Sequence, residues 1–266
     1  MTTPDTFTKT AEVQGGFRLP DPPQREPDEM TQYDQLFKYG YSHALAVHLG
    51  NPETTLVEAD RWIVARPEFN KARARRPDLL VAFGVDPEVY RRSNGYIVSE
   101  QGKAPDFVLE VASESTGAID VGAKRVDYAR LGIPEYWRFD ETGEYHGARL
   151  AGDRLAEGRY EPIPIETVSD GVLQGYSPAL NLYLRWDGGV LVFHDPATGR
   201  PIASLEDERQ ARAAAEAHAE AQQVRADTEQ VRAEAAEARA ETEREGRSAA
   251  EARVRELEER LRSQGA

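Results

Sequence analysis

Two stretches, RPDLLVAFG at residues 76–84 and PDFVLEVAS at 105–113, decide the fold. Each places an aspartate behind a proline and then runs into a short apolar strand. The second is nearly all apolar apart from Asp106 and Glu110. A continuous apolar strand is buried on both faces, which implies helices packed on a central sheet. Downstream, a helix is expected over 120–131, with apolar Val121, Val126, Tyr128, Ala129 and Leu131, stopped by Gly132. Pro134 opens a further strand, EYWRFD at 135–140. Upstream, Leu36, Tyr39, His43, Ala46 and Val47 recur at helical steps between Thr31 and Leu49. Asn51-Pro52 ends that helix. TTLVEADRWIVARP at 54–67 reads as one or two short strands. Residues 86–103 read as a polar loop long enough to suspect function. Residues 145–200 read as short strands, with hairpin turns at Gly188-Gly189 and Asp195–Gly199. The fold class is α/β or α+β with a mixed sheet.

Both ends differ from this core. Residues 1–30 are rich in Pro, Asp, Glu and Thr, and LPDPPQREPDE at 19–29 cannot hold a helix or a central strand. A disordered N-terminal arm over 1–30 is expected, then a globular domain over 31–203. From 204 to 266 the composition is Ala, Glu, Arg and Gln without proline, which favours a long helix. Ala217, Val224, Val231 and Ala238 are spaced by seven, with Ala214, Ala221, Thr228, Ala235 and Thr242 at the complementary offset. The phase shifts near Gly246, after which Ala250, Val254, Leu257 and Leu261 form a second seam. A single solvated helix and a dimeric coiled coil both fit, since an alanine seam buries little area.

The chain of 266 residues carries a net charge of −14 and no cysteine. Disulfides, thiolate zinc sites and cysteine nucleophiles are thereby excluded, and a reducing cytosol is consistent. No stretch approaches the roughly 18 apolar residues of a membrane helix. The N-terminus has neither the basic start nor the apolar run of a secretory signal. A cytoplasmic protein without membrane contact is the expectation. From Ser204 onward there are 16 acids and 11 arginines, so −9 of the −14 falls on the rest. An acidic chain is a poor non-specific nucleic-acid binder, because phosphate binding needs cationic surface. A nuclease escapes that objection if its basic patch is local. Lys71, Arg73, Arg75 and Arg76 precede Asp78, and Arg91 and Arg92 follow. They form such a patch or are ordinary solvated surface.

Two carboxylates on neighbouring strands and a nearby ammonium are what a metal-dependent phosphodiesterase needs. Mg²⁺ takes oxygen ligands and keeps several waters. If the two strands pair, Asp78 and Glu110 can share one ion. The ion polarises a phosphoryl oxygen and activates water, and a lysine steadies the charge that develops. Lys124, on the following helix, is the candidate. An acid inside an apolar strand is costly unless paired or metal-bound. For Glu110 the alternative is a salt bridge to Arg125 or Arg138. Asp78 and Asp106 can also serve simply as loop caps, which is the preferred reading for Asp106.

The series RPDLLVAFG, GKAPDFVLEVASEST and GAKRVDYARLGIPEYWRFD resembles the Uma-type restriction-endonuclease family, a branch of the PD-(D/E)XK nuclease superfamily. GRYEPIPI, LNLYLRWDGGVLVFHDPATG and the helical tail fit its longer members, so the resemblance spans roughly 31–260. It implies a restriction-endonuclease-like core, a central mixed sheet flanked by helices, and a site using Mg²⁺ or Mn²⁺. The superfamily's Pro-Asp maps to Pro77-Asp78 and its second acid to Glu110. Asp78 and Glu110 are therefore the expected metal ligands, with Lys124 as the third catalytic group. Position 112, where the superfamily's lysine would stand, is Ala112. The resemblance points to Lys124 as its displaced counterpart. Ser113 positions water or ends the strand, and an upstream acid is supplied by Glu58 or Asp60.

The leading function is thus a metal-dependent DNA endonuclease. The alternative is a nuclease-fold adaptor whose C-terminal helix forms a homodimer or recruits a protein partner. A glycosidase is a poor third, since no aromatic sugar platform accompanies the acids. The five histidines are scattered, and no phosphate-binding glycine loop or nucleophile elbow is present.

Overall fold

The computed structural model describes residues 16–23, 36, 40–203 and 205–264. Most of the expected N-terminal arm, and 31–35 and 37–39 of the first expected helix, lie outside the described residues. Helix α1, Tyr41–Leu49, starts behind Gly40, whose φ of 65° lets the chain turn into it. Strands β1 (Thr55–Glu58), β2 (Ile63–Val64) and β3 (Leu79–Phe83) follow. Residues 86–103, expected as a polar loop, instead fold into α2 (Pro87–Ser93), β4 (Tyr96–Ile97) and α3 (Val98–Gln101). The cause is local: Asp86 caps α2 by accepting from the Glu88 amide at 2.8 Å, and Pro87 occupies the first turn. Tyr90 and Tyr96 then bury themselves as anchors.

Strand β5 (Phe107–Val111) leads to a one-turn α4 (Gly117–Ile119). A π-turn over Asp120–Lys124 continues into α5 (Arg125–Leu131), which ends at Gly132 with φ 80°. The remaining strands are β6 (Glu135–Phe139), β7 (Leu150–Ala156), β8 (Arg159–Ile163), β9 (Ile165–Ser169), β10 (Val172–Ser177), β11 (Leu182–Asp187) and β12 (Val190–His194). The central sheet has the order β1-β3-β5-β6-β7-β8 and is mixed, with β5 and β6 parallel and the other neighbours antiparallel. A four-stranded antiparallel sheet, β12-β11-β10-β9, and a β2-β4 pair complete the strands.

The central strands are buried on both faces, as their composition requires. Leu79, Val81, Phe107, Leu109, Trp137 and Phe139 line one face, and Leu80, Ala82, Val108 and Tyr136 the other. The second face is covered by Tyr128 of α5, Tyr90 of α2, Ile133 and Tyr160. The first face carries α1 and also the four-stranded sheet, through Leu182, Leu184, Leu191 and Phe193. That sheet takes the place of a second layer of helices because 165–194 alternates apolar and polar residues, giving each strand one core face. Trp137 lies between the layers. A methyl on Gly152 of β7 would come within 3.0 Å of its ring, and one on Gly175 of β10 within 2.8 Å. Both positions are therefore occupied by the one residue that leaves room.

Part of the expected loose arm is in place. Leu19 is buried among Trp62, Val64, Ala74 and Ile97, and its amide donates to the Ser93 carbonyl at 2.8 Å. Prolines prevent regular structure there but not attachment. The chain divides into two compact units, Met1–Asp207 and Glu208–Ala266. Helix α6, Leu205–Gln264, has 60 residues and runs without a break through Gly246. At about 1.5 Å per residue it extends roughly 90 Å. Among the described residues no helix is long and apolar enough to cross a membrane.

Candidate active site

Strands β3 and β5 pair antiparallel, with Leu79 opposite Leu109 and Leu80 opposite Val108. One step beyond Leu79 and Leu109 stand Asp78 and Glu110, on the sheet face that carries Leu80 and Val108. Both acids are buried, at 5% and 2% exposure. Asp78 Oδ2 accepts from the Val111 amide at 2.6 Å, so its carboxylate is tied to the strand that carries Glu110.

Lys124 reaches this face from the π-turn. Its Nζ lies 2.9 Å from Glu110 Oε2 and 2.7 Å from Asp120 Oδ1. The three residues singled out from the sequence thus converge. The alternative partners of Glu110 do not: Arg125 and Arg138 both bind Asp153 on β7, at 2.9 Å each. Tyr128 donates to Glu110 Oε1 at 2.5 Å. It sits four residues past Lys124, so one helix face supplies both contacts to the acid.

Asp120 and His146 join the cluster. Asp120 is fully buried; its Oδ2 lies 3.0 Å from His146 Nε2 and accepts from the Thr116 hydroxyl at 3.1 Å. His146 is brought there by a tight loop. Asp140 accepts from the amides of Gly143, Tyr145 and His146 at 2.8 Å each. Burial opposes the charge on Asp140, but these amides prevail and hold its carboxyl below the ordinary value. Gly117 lets the helix start approach this loop, since a methyl there would meet the Tyr145 carbonyl at 2.7 Å. A sequence signal existed only for Asp120, an acid four residues before a lysine on one helix. The loop that delivers His146 is a tertiary feature.

Burial pushes the Glu110 carboxyl up to about 8; Lys124 and Tyr128 oppose this, while Asp78 and Asp120 add to it. For Lys124 burial favours the neutral amine, yet Glu110, Asp120 and Asp78 outweigh it and raise its value. Asp120 resists burial through His146 and Lys124 and is lowered. The consequence for stability has a definite sign. Between its ordinary 4.5 and about 8, the folded chain holds a proton on Glu110 that the unfolded chain releases. Stability is therefore lost as pH rises through that window and is level above it. Denaturant titrations in chelator at pH 5, 6.5 and 8 should show this slope in the native chain. The slope should be absent from Glu110→Gln, and equal slopes in both would refute the assignment.

The other sequence candidates lie apart from the cluster. Asp106 accepts from the Phe83 amide at 2.8 Å and pairs with Lys103 at 2.7 Å, so it caps the strand end. Asp60 pairs with Arg76 at 2.9 Å. Glu58 stands opposite Leu80 on β1; burial raises its value against the pull of Tyr90, Arg61 and Arg91. Ser113 bonds the Thr116 hydroxyl at 2.7 Å and so shapes the turn after β5. Within the basic patch, Arg76 is used by Asp60 and Arg75 by Asp127 on α5, through Nε at 2.9 Å, whereas Lys71 and Arg73 are exposed. A cavity of 480 Å³ is lined by Arg73, Asp127 and Arg130 among others, and by none of Asp78, Glu110 and Lys124. Among the described residues no three His, Asp or Glu side chains form a cage for an ion.

A family model described as "Uma2: Putative restriction endonuclease" matches residues 44–184, more than half of the chain. Among solved structures the chain is similar to "a putative nuclease belonging to DUF820 from Anabaena variabilis ATCC 29413". The identity is 13%, the TM-score 0.38, and the match covers 63% of this chain and 80% of the other. No curated protein matches.

Proposed function

The chain belongs to the Uma2 family, and from that premise we propose that it is a metal-dependent endonuclease that hydrolyses phosphodiester bonds in DNA with Asp78, Glu110 and Lys124. The observation that carries this reading is the Lys124 amine 2.9 Å from Glu110, on the strand beside Asp78.

The donor set suits a hard divalent ion. Mg²⁺ is held by one or two carboxylates and completes its shell with water and phosphate oxygens, so a cage of three acids is not required. Asp78 and Glu110 would be the ligands, for Mn²⁺ as for Mg²⁺. The mutual repulsion that helps keep Glu110 protonated is what a cation between the acids would relieve. Such an ion, when bound, supplies Lewis-acid polarisation of the phosphoryl group and a more acidic water.

The chain's own groups do the rest. Lys124 stays charged and offers its ammonium to the charge that develops on the phosphoryl oxygens. Its side chain is 16% exposed, against 2% for Glu110, so it marks the side from which substrate approaches. Asp120 fixes the amine, and His146 and Thr116 fix Asp120. Tyr128 aims the Glu110 carboxyl. Arg75 ties the loop that carries exposed Lys71 and Arg73 to α5, and Arg73 lines the same cavity as Asp127 and Arg130 of that helix. A local cationic edge of this kind supports backbone contact with DNA despite the acidic chain.

A plasmid nicking assay tests the reading. Nicked product should form with Mg²⁺ or Mn²⁺, should not form in chelator, and should be lost in Asp78→Ala. Cleavage that survives chelator or Asp78→Ala defeats it. His146→Ala probes the supporting shell. It should cut nicking about 10- to 100-fold, as removal of an outer-shell partner does, and cost about 1–3 kcal/mol of stability for the lost bond to Asp120. Full activity in His146→Ala would remove His146 from the positioning chain.

A further inference from the structure

The long helix carries a charge pattern that its apolar seam alone does not require. With Ala221, Thr228, Ala235 and Thr242 at heptad position a, Ala217, Val224, Val231 and Ala238 fall at d. Position g is then acidic in every heptad: Glu220, Asp227, Glu234 and Glu241. Position e is Arg225, Arg232 and Arg239, preceded by His218. From this we infer that residues 214–242 pair with a second copy of the same helix, parallel and in register.

The charges choose the orientation. In a parallel pair, position g faces position e of the next heptad on the other helix. Glu220 then meets Arg225 of the partner subunit, Asp227 its Arg232 and Glu234 its Arg239, with the same three contacts on the other side. In an antiparallel pair, g faces g and e faces e. Acids would then oppose acids and arginines oppose arginines.

The side chains of α6 are disposed for this. Val224 and Val231 are each 64% exposed. Among the described residues, Arg225, Arg232 and Arg239 make no ion pair on their own helix, so each is placed to turn toward a partner helix. Asp227 and Glu234 accept from Gln223 and Gln230 at 2.9 and 3.0 Å, which steadies them at the seam's edge. The two polar residues at position a are satisfied internally. Thr228 donates to the Val224 carbonyl at 2.7 Å, and Thr242 to the Ala238 carbonyl at 2.9 Å. The seam can therefore close without stranding a hydroxyl. Alanine at most core positions buries little area, so association depends on concentration and weakens with salt.

The test uses the full chain, which has no cysteine of its own. Sedimentation equilibrium should show a concentration-dependent dimer. Under a glutathione redox buffer, Ala221→Cys at position a should give a disulfide-linked dimer and Ala226→Cys, on the outer face, should not. Reversing Arg225, Arg232 and Arg239 to Glu turns every g–e contact repulsive, and the dissociation constant should rise more than about tenfold. Circular dichroism checks that this variant keeps its helix. A monomer at all concentrations overturns the inference, as does a dimer indifferent to the triple reversal. Cross-linking of Ala221→Cys no stronger than that of Ala226→Cys does so too. None of these outcomes depends on the nuclease reading.

Discussion

Glu110→Gln is expected to abolish metal-dependent nicking, by at least about 10³-fold, while leaving the protein as stable as before or more so at pH 8. The two effects have one cause. Glu110 is 2% exposed on an apolar strand, and burial pushes its carboxyl up to about 8. Holding it ionised there is unfavourable, and only Lys124 and Tyr128 offset the cost. Glutamine keeps the size, the acceptor toward Tyr128 and the fold, and removes the charge. Lys124 keeps Asp120 at 2.7 Å. A functional group maintained against stability is the usual sign of a working site. Single-turnover plasmid nicking gives the first half of the prediction, and urea denaturation of the same samples gives the second. A variant that cuts at the native rate sinks the site. A variant that is inactive because it is unfolded sinks the electrostatic account. The same contrast weighs against the adaptor reading, since a chain that had abandoned chemistry would gain by losing this acid.

Trp137→Ala should behave in the opposite way and cost about 3–5 kcal/mol of stability. Its indole is fully buried between the central sheet and the four-stranded sheet. Gly152 and Gly175 leave no side chain able to move into the gap, so the cavity cannot collapse locally. Nearby, Glu135 accepts from Trp137 Nε1 at 3.1 Å, from the Ser177 hydroxyl at 2.5 Å and from the Ala179 amide at 3.0 Å. Losing the indole leaves that buried carboxylate one donor short, which adds to the cost. For a domain of this size the melting temperature should fall by roughly 10 °C. Nicking by the folded fraction should persist, because Trp137 faces away from the cluster. A loss below about 1 kcal/mol would mean that the layers repack around the void.

The sequence made the acid pair readable because both elements obey period two. Pro77 fixes where β3 begins, and Glu110 interrupts an apolar run, so Asp78 and Glu110 stand at equivalent ends of paired strands. Lys124 is named by its nearness in sequence and by the family resemblance, not by any spacing of its own. The π-turn beneath it was not readable, since nothing in DVGAK distinguishes a wide turn from an ordinary one. His146 lies 26 residues from Asp120 and joins it only through the loop that Asp140 organises. Residues 86–103 fold where their polar content suggests a loop because Asp86 caps a helix that Pro87 opens. The hairpin strands were legible from alternation, but alternation names a face without naming what covers it. That is why the second sheet emerged only in three dimensions.

The amine of Lys124 arrives on a different element from the acid it contacts. A pattern search that demands a lysine two places after the glutamate would stop at Ala112 and pass over this chain, although the amine is 2.9 Å from the carboxylate. Proteins of this kind are better sought by distance than by spacing: a buried strand acid, a neighbouring strand aspartate and a helix-borne ammonium within bonding reach. Chains set aside for lacking the linear signature are the place to look first.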